Sequence, residues 1–241
     1  MKTAPVSALL RLGLGALLSL STLAGCGSDA PTDTGTGADA SEPLLPWAIG
    51  NTWTYRVTED GVVSEKTTTV MQADKVGGTG PHAAEDAYFV VTKKGADQKD
   101  KTESYQAPAA GNPDRIVRYR ELSYGAMTGL VQLEEYWDPP RIHADGSWEA
   151  TATSWLDAYT EYKLPTGEQP LPGVATRDMW NLVSADEAVD TPYGHFAHSM
   201  HLSKAEKNYW YVRGVGKVRE TGGQTEELVS YKLNASINAL K

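Results

Sequence analysis

The sequence predicts a mainly β protein with little helix, built on an antiparallel, strongly curved sheet or on an open barrel or sandwich. One observation is the alternation of apolar and polar residues, clearest at 51–58, where Trp53, Tyr55 and Val57 fall on one face of an extended chain. Another is the presence of turn-forming segments between short β-prone runs, such as Gly-Asn-Pro-Asp at 111–114. No regular helical pattern separates these runs, which favours an antiparallel arrangement.

The other strands are expected at intervals along the chain. After the first strand, β-prone runs lie at 67–71, 87–92, 102–106, 115–122, 130–136 and 149–155. The Pro-rich segment 165–173 is expected to be a long surface loop, and 177–185 fits either a helix or a strand. Closing strands are expected at 208–213, 217–220 and 226–233. At 50–53 and again at 146–148, a Gly lies shortly before a Trp that begins an alternating run. This repetition would fit a domain of two similar halves.

Residues 1–25 have the features of a secretory signal peptide. Lys2 and Arg11 are the charged residues of this segment, and an apolar run at 8–18 is followed by small residues. The run is too short to cross the bilayer core of about 30 Å as a helix of the mature protein. We therefore expect the mature chain to begin near residue 26, outside the cytoplasm.

The signal segment ends in Leu23-Ala24-Gly25-Cys26, which resembles the lipobox of bacterial lipoproteins. The resemblance implies cleavage before Cys26 and lipidation of its thiol, so the partner expected at this end is a membrane. Cys26 is the single cysteine, which leaves no disulfide to expect in the domain. In enterobacterial lipoproteins an Asp after this Cys favours the inner membrane. Gly27 stands here instead, so a bacterial outer-membrane location is expected.

A flexible acidic tether is expected at 26–43, followed by a single β-rich extracytoplasmic domain at 44–241. The segment 27–43 has four acids, no base and no large apolar residue, so it cannot form a core. The formal charge of the chain is −9, and it becomes −11 without residues 1–25, which carry Lys2 and Arg11 and no acid. This charge argues against nucleic acid as a partner.

Several short stretches resemble landmarks of a broad group of uncharacterised bacterial envelope lipoproteins. They are Leu45-Pro46-Trp47 with Gly50-Asn51-Thr52-Trp53-Thr54-Tyr55, then Thr191-Pro192-Tyr193-Gly194-His195-Phe196, the segment from Trp210 to Val218, and Glu227-Leu228-Val229-Ser230-Tyr231. The resemblance implies a β-rich extracytoplasmic domain and no catalytic residues. A curved sheet like that of periplasmic lipoprotein carriers is an analogy of fold alone.

The segment 193–202 (YGHFAHSMHL) contains three of the five histidines. On a strand, His198 would share an apolar face with Phe196, Met200 and Leu202, while His195 and His201 would lie on the other face. His195 and His201 would then be about 20 Å apart, whereas two zinc ligands lie within about 4 Å of each other. A helix could pair neighbouring histidines but would need outside carboxylates. We predict no metal and no other cofactor, and His195, His198 and His201 remain the candidates for a metal site.

No assembled catalytic motif appears, so a non-enzymatic binding or structural module is expected. Most of the seven Trp and twelve Tyr residues are expected in the core. Trp137 and Trp155 lie near expected loops and are candidates for an exposed ligand-binding surface, together with His198. The expected ligand is an unknown protein or a small hydrophobic molecule. The alternatives are a carrier or chaperone that encloses a lipid or lipoprotein in an apolar cavity, and a His-dependent metalloenzyme.

Overall fold

The computed structural model describes residues 41–150 and 153–234, apart from the side chains of residues 149 and 150. The lipobox with Cys26 and the tether up to residue 40 lie outside the described residues. No helix in the described part of the chain is long and apolar enough to cross a membrane.

The described residues form fourteen strands and one short 3-10 helix, Gly146–Ala150. The strands are β1 (Thr52–Glu59), β2 (Val62–Lys75), β3 (Asp86–Lys94), β4 (Asp100–Ala109), β5 (Asn112–Tyr124), β6 (Val131–Asp145), β7 (Ser154–Pro165), β8 (Val174–Ser184), β9 (Val189–Asp190), β10 (His195–Phe196), β11 (Met200–Lys204), β12 (Lys207–Val212), β13 (Gly216–Thr221) and β14 (Thr225–Lys232). The predicted mainly β, antiparallel class is confirmed.

Twelve of these strands close into one antiparallel barrel. Neighbours in sequence pair with each other from β1 to β8, β8 then pairs with β11, and the series continues to β14. The barrel closes where β1 pairs with β14, from Thr52 opposite Lys232 to Thr58 opposite Thr225. Strands β9 and β10 pair only with each other, as a separate two-stranded sheet. Closure removes the free edges that an open sheet would expose.

Local sequence explains both the strands and their curvature. In β1 the residues Trp53, Tyr55 and Val57 are buried while their neighbours are more exposed, as the alternation predicts. The long strands β5 and β6 contain three register shifts in their pairing, at 116–117, 118–120 and 123–124 of β5. Such bulges bend a strand and increase its twist, which a sheet needs in order to close.

Apolar residues fill the end of the barrel at which β1 begins. Leu44 and Leu45, just before β1, are 0% and 5% exposed and pack in a cluster with Trp148, Met200 and Leu202. Trp148 comes from the 3-10 helix and Met200 from the start of β11. Burial of these side chains closes this end, and the barrel interior above them is where the site lies.

The structure corrects some expected boundaries. The segment 177–185, which fitted helix or strand, belongs to β8 as far as Ser184, and most of 165–173 is the loop that was expected. The strand expected at 149–155 is wrong in its first part, because the 3-10 helix runs to Ala150 and β7 starts at Ser154. Residues 138–140 are not a loop, since β6 continues through them to Asp145.

Candidate functional site

A cavity of 520 Å³ lies inside the barrel. Its wall consists of inward-facing side chains from strands around the whole barrel, because alternate residues of each strand point to the axis. Eight basic residues line it: Lys66, Lys94, Lys101, Arg118, Arg141, Lys204, Lys207 and Lys217. Four acids line it with them: Asp100, Glu121, Glu220 and Glu226. The wall is therefore strongly charged and has more cations than carboxylates.

The two ends of the cavity differ in chemistry. Apolar and aromatic side chains form its floor, which we define as Leu45, Trp47, Trp53, Ile142 and Tyr211. The opposite end, the mouth, lies where strands end or begin, and its lining residues are Lys94, Asp100, Lys101, Lys207 and Gln224. Lys207 at the mouth is 42% exposed, whereas Lys66 deeper in the wall is 14% exposed. A ligand would reach the interior past the charged mouth.

An ion-pair ladder of lysines and glutamates crosses one side of the wall. Lys66 pairs with Glu226, and Glu226 also pairs with Lys217 at 2.8 Å. Lys217 pairs in turn with Glu220, which pairs with Lys207 at 2.9 Å. Burial raises the pKa of Glu220, but Lys217 and Lys207 outweigh it and lower the pKa to about 2. Burial and the charge of Lys217 lower the pKa of Lys66 to about 8, in spite of Glu226.

A second cluster, which we call the Arg141 cluster, places two cations of the wall, Arg141 and Lys204, around the carboxylate of Asp178, which does not itself line the cavity. Lys204 Nζ lies 3.1 Å and an Arg141 guanidinium nitrogen 3.3 Å from the same Oδ2 of Asp178. The Tyr159 hydroxyl donates to that oxygen at 3.0 Å. Burial and the nearby Arg141 lower the pKa of Lys204 to about 8. Burial also raises the pKa of Asp157, beside this cluster, to about 6, and Asp178 adds to the shift.

A half-buried histidine that the sequence did not single out, His143, also lines the cavity. Burial and the charge of Arg118 hold the pKa of His143 well below its usual range, so its ring is neutral. One Arg118 nitrogen lies 3.2 Å from His143 Nδ1, which fits donation to a neutral ring nitrogen. Arg118 also pairs with Glu121 at 2.5 Å. His143 stacks on Trp47 of the floor, with ring centroids 6.2 Å apart.

The three candidate histidines of 193–202 do not share a site. Each ring contacts a different carboxylate through Nδ1, at 2.7 or 2.8 Å: His195 with Asp190, His198 with Asp186 and His201 with Glu187. In the described part of the chain, no group of three or more His, Cys, Asp or Glu side chains is arranged to hold a metal ion. None of the three histidines is among the residues that line the cavity.

The predicted faces of His198 and His201 are wrong. His198 is 46% exposed and pairs with Asp186, whereas His201 is buried and stacks on Trp210 at 4.1 Å between ring centroids. The prediction assumed one continuous strand, but β10 ends at Phe196 and β11 begins at Met200. The residues between them are not in a strand, so the alternation does not continue through them.

The two candidate tryptophans do not form an exposed surface. Trp137 is 1% exposed, so the expectation that it lies at the surface is wrong; its Nε1 donates to Glu161 at 3.2 Å. Trp155 is half-buried and stacks on Trp148, with ring centroids 4.4 Å apart and planes 15° apart. Neither residue lines the cavity.

The sequence analysis did not identify the lysines of the wall, although the residue pattern of β2 indicates that Lys66 points inward. Lys66 and Thr68 share a face with Val70, which is fully buried. A lysine on the same face as a core valine points toward the protein interior. The charge excess itself has no local signal, because it arises only when distant strands meet in the barrel.

No protein-family model matches the chain, and no curated protein matches it significantly. A similar solved structure is that of a Bacteroides fragilis protein, proposed to be exported, with a YmcC-like fold. The sequences are 14% identical, the match covers 80% of this chain and 100% of the other, and the TM-score is 0.43.

Proposed function

We propose that the chain is a lipid-anchored protein of the bacterial cell envelope that binds a small ligand inside its barrel and catalyses no reaction. The observation that carries the proposal is the 520 Å³ cavity, whose volume lies within the range of about 300–1,000 Å³ that is typical of ligand sites. The closed barrel fixes the strands that carry the wall relative to one another, which favours a preformed site. The lipidated Cys26 would keep the domain at the outer membrane while the tether lets it move.

The composition of the wall favours a polar ligand over a purely apolar one. A carrier for an acyl chain needs an apolar enclosure, and here only the floor is apolar and aromatic. Above the floor, the ladder of Lys66, Glu226 and Lys217 and the Arg141 cluster line the space with charges. Burying an alkyl chain against these groups would take water from them without replacing its hydrogen bonds. The small hydrophobic ligand expected from the sequence therefore fits this wall poorly.

Anchoring is tested by replacing Cys26 with serine. The serine hydroxyl cannot be lipidated at this position, so we expect the variant to lose lipid labelling and to leave the membrane fraction. A matched control is Ser28→Ala, which changes a neighbouring residue of the tether and should stay in the membrane fraction. Sedimentation of the Cys26→Ser variant with membranes would show that the lipid is not the anchor.

Binding inside the barrel is tested by filling the cavity. Thr68 lines the cavity on β2, whereas Val63, five residues earlier on the same strand, is 63% exposed and points outward. In native mass spectrometry of protein purified from cells, we expect a bound small molecule on the wild type and on Val63→Trp. Thr68→Trp should lose that mass because the indole occupies its space. If Thr68→Trp keeps the molecule, the ligand binds elsewhere, and if no variant carries one, the proposed function loses its support.

A further inference from the structure

The charge of the cavity wall is opposite in sign to the charge of the whole chain. The chain has 31 acidic and 22 basic residues, whereas the wall has eight basic and four acidic ones. Lysine and arginine are seldom buried, because removing their charge from water costs free energy. Their accumulation in the interior of an acidic protein needs a reason other than solubility.

Five of the wall cations have fewer carboxylate partners than they have positive charges. Asp178 is shared by Arg141 and Lys204, Glu226 by Lys66 and Lys217, and Glu220 by Lys217 and Lys207. These five cations thus depend on three carboxylates, whereas the other three cations of the wall each pair with a carboxylate of their own, Glu59, Glu103 or Glu121. Asp157 is a further acid beside the Arg141 cluster. When Asp157 is ionised, these five cations and four carboxylates together have an excess of one positive charge.

We infer that the ligand is a small organic molecule carrying an oxyanion, such as a carboxylate, phosphate or sulfate, and that Lys66, Lys204 and Arg141 bind that group. This inference rests on the proposed function and adds the chemical class of the ligand. Arginine offers a planar pair of donors that fits such a group, and the lysine amines add charge from the wall. Low exposure strengthens each contact, since Lys66 and Lys204 are 14% and 12% exposed.

The surroundings of the cations suit a ligand that also has a less polar part. Lys204 lies 4.6 Å from the centroid of Trp180, and Trp180 is followed around the wall by Tyr209, with ring centroids 5.5 Å apart. Aromatic faces next to amines accept the carbon face of a ring.

The pKa directions of the two lysines support the same assignment. Burial is the largest cause that lowers the pKa of Lys66 and of Lys204 to about 8, and the charge of a neighbouring cation is the second largest for each lysine. A bound oxyanion would supply the negative charge that these amines lack. Binding should therefore stabilise their protonated forms.

Isothermal titration calorimetry with defined probes tests the inference. The probes are glucose 6-phosphate, glucuronate and inorganic phosphate, with glucose as the neutral counterpart. We expect the two organic anions to bind at least tenfold more tightly than glucose, and inorganic phosphate shows how much of this the oxyanion contributes alone. Lys204→Met and Lys66→Met should each weaken binding of the anions about tenfold or more. The control Lys75→Met removes a lysine that is 59% exposed on the far end of β2 and should change nothing.

The outcomes separate the ligand class from the proposed function. Melting curves show whether each variant is folded. Equal affinity for glucose and glucose 6-phosphate, or unchanged affinity in folded Lys204→Met and Lys66→Met, would overturn the inference. If glucose binds and Thr68→Trp blocks it, the proposed function stands while the ligand class is wrong. If none of the probes binds, the inference is wrong. The proposed function is then tested only by native mass spectrometry, through the small molecule that co-purifies with the wild type.

The pH dependence of binding to the unmodified protein is an independent readout. If a required amine has a pKa of about 8, its protonated fraction falls about tenfold between pH 7 and pH 9, and the dissociation constant rises by the same factor. The ionisable groups that face Lys204 are Arg141, Asp157, Tyr159 and Asp178, and those that face Lys66 are Tyr55, Lys217, Glu220 and Glu226. Affinity that stays constant from pH 7 to pH 9 would contradict a role for either lysine.

Discussion

Replacing Lys217 with methionine is expected to lower the free energy of unfolding by about 3 kcal/mol or more. Lys217 pairs with both Glu220 and Glu226, whose side chains are 7% and 2% exposed. In the variant, Glu220 keeps Lys207 as its cation and Glu226 keeps Lys66. No cation then lies between the two carboxylates to offset their repulsion. Urea unfolding at pH 7 measures the change as a lower midpoint with an unchanged slope.

Three comparisons make this prediction specific to the buried ladder. Lys75→Met, which breaks an exposed pair with Asp86, should cost at most about 1 kcal/mol. Adding Glu220→Gln to Lys217→Met should restore at least about 1 kcal/mol by removing one uncompensated charge.

The cost of Lys217→Met should also shrink as pH falls. The pKa of Glu220 is about 2 against an ordinary 4.5, so its stabilising effect is present above pH 4.5 and is lost toward pH 2. A cost of Lys217→Met no larger than that of Lys75→Met would contradict the ladder.

Trp53→Ala is expected to destabilise the barrel by about 3–5 kcal/mol. Trp53 is 1% exposed at the start of β1, its ring centroid lies 5.1 Å from that of Trp47, and its Nε1 donates to the carbonyl of Val215 at 2.6 Å. Gly216 leaves room for this approach, because a Cβ there would lie 3.3 Å from Trp53 Nε1. The substitution opens a void in the floor and leaves the Val215 carbonyl unpaired. Thermal and urea unfolding measure the loss.

Two further variants separate size from hydrogen bonding at this position. Trp53→Phe keeps a ring in the floor but loses the donor, so we expect a cost of about 1–2 kcal/mol. Leu156→Ala removes a side chain that is 53% exposed on the outer face of β7 and should cost about 0.5 kcal/mol or less. If Trp53→Ala costs no more than Leu156→Ala, Trp53 does not hold the floor in place.

Strand content was predictable because it depends on local pattern. The alternation of Trp53, Tyr55 and Val57 describes β1 correctly, and the turn residues around Gly222 and Gly223 separate β13 from β14 as expected. The faces of His198 and His201 were not predictable, because they depend on where one strand stops and the next begins. The break between Phe196 and Met200 is fixed by tertiary contacts such as the hydrogen bond from the Ser199 hydroxyl to the Glu187 carbonyl, 2.6 Å.

The candidate site was not predictable from the sequence for a different reason. A strand that alternates lysine and threonine with other polar residues looks like the solvent face of an open sheet. Closure of twelve strands turns that face inward, and it brings Lys66 of β2 within reach of Glu226 of β14. These residues are 160 positions apart in the chain. Only the register of the closed barrel reveals that the polar faces of distant strands form one wall.

The most direct measurement is a crystal structure of the protein grown with glucose 6-phosphate. We expect the phosphate inside the barrel, with its oxygens about 2.7–2.9 Å from the amines of Lys66 or Lys204 or from the Arg141 guanidinium. The sugar should lie against the aromatic side chains next to Lys204. A phosphate bound on the outer surface, with the interior free of the probe, would contradict an anion site in the barrel.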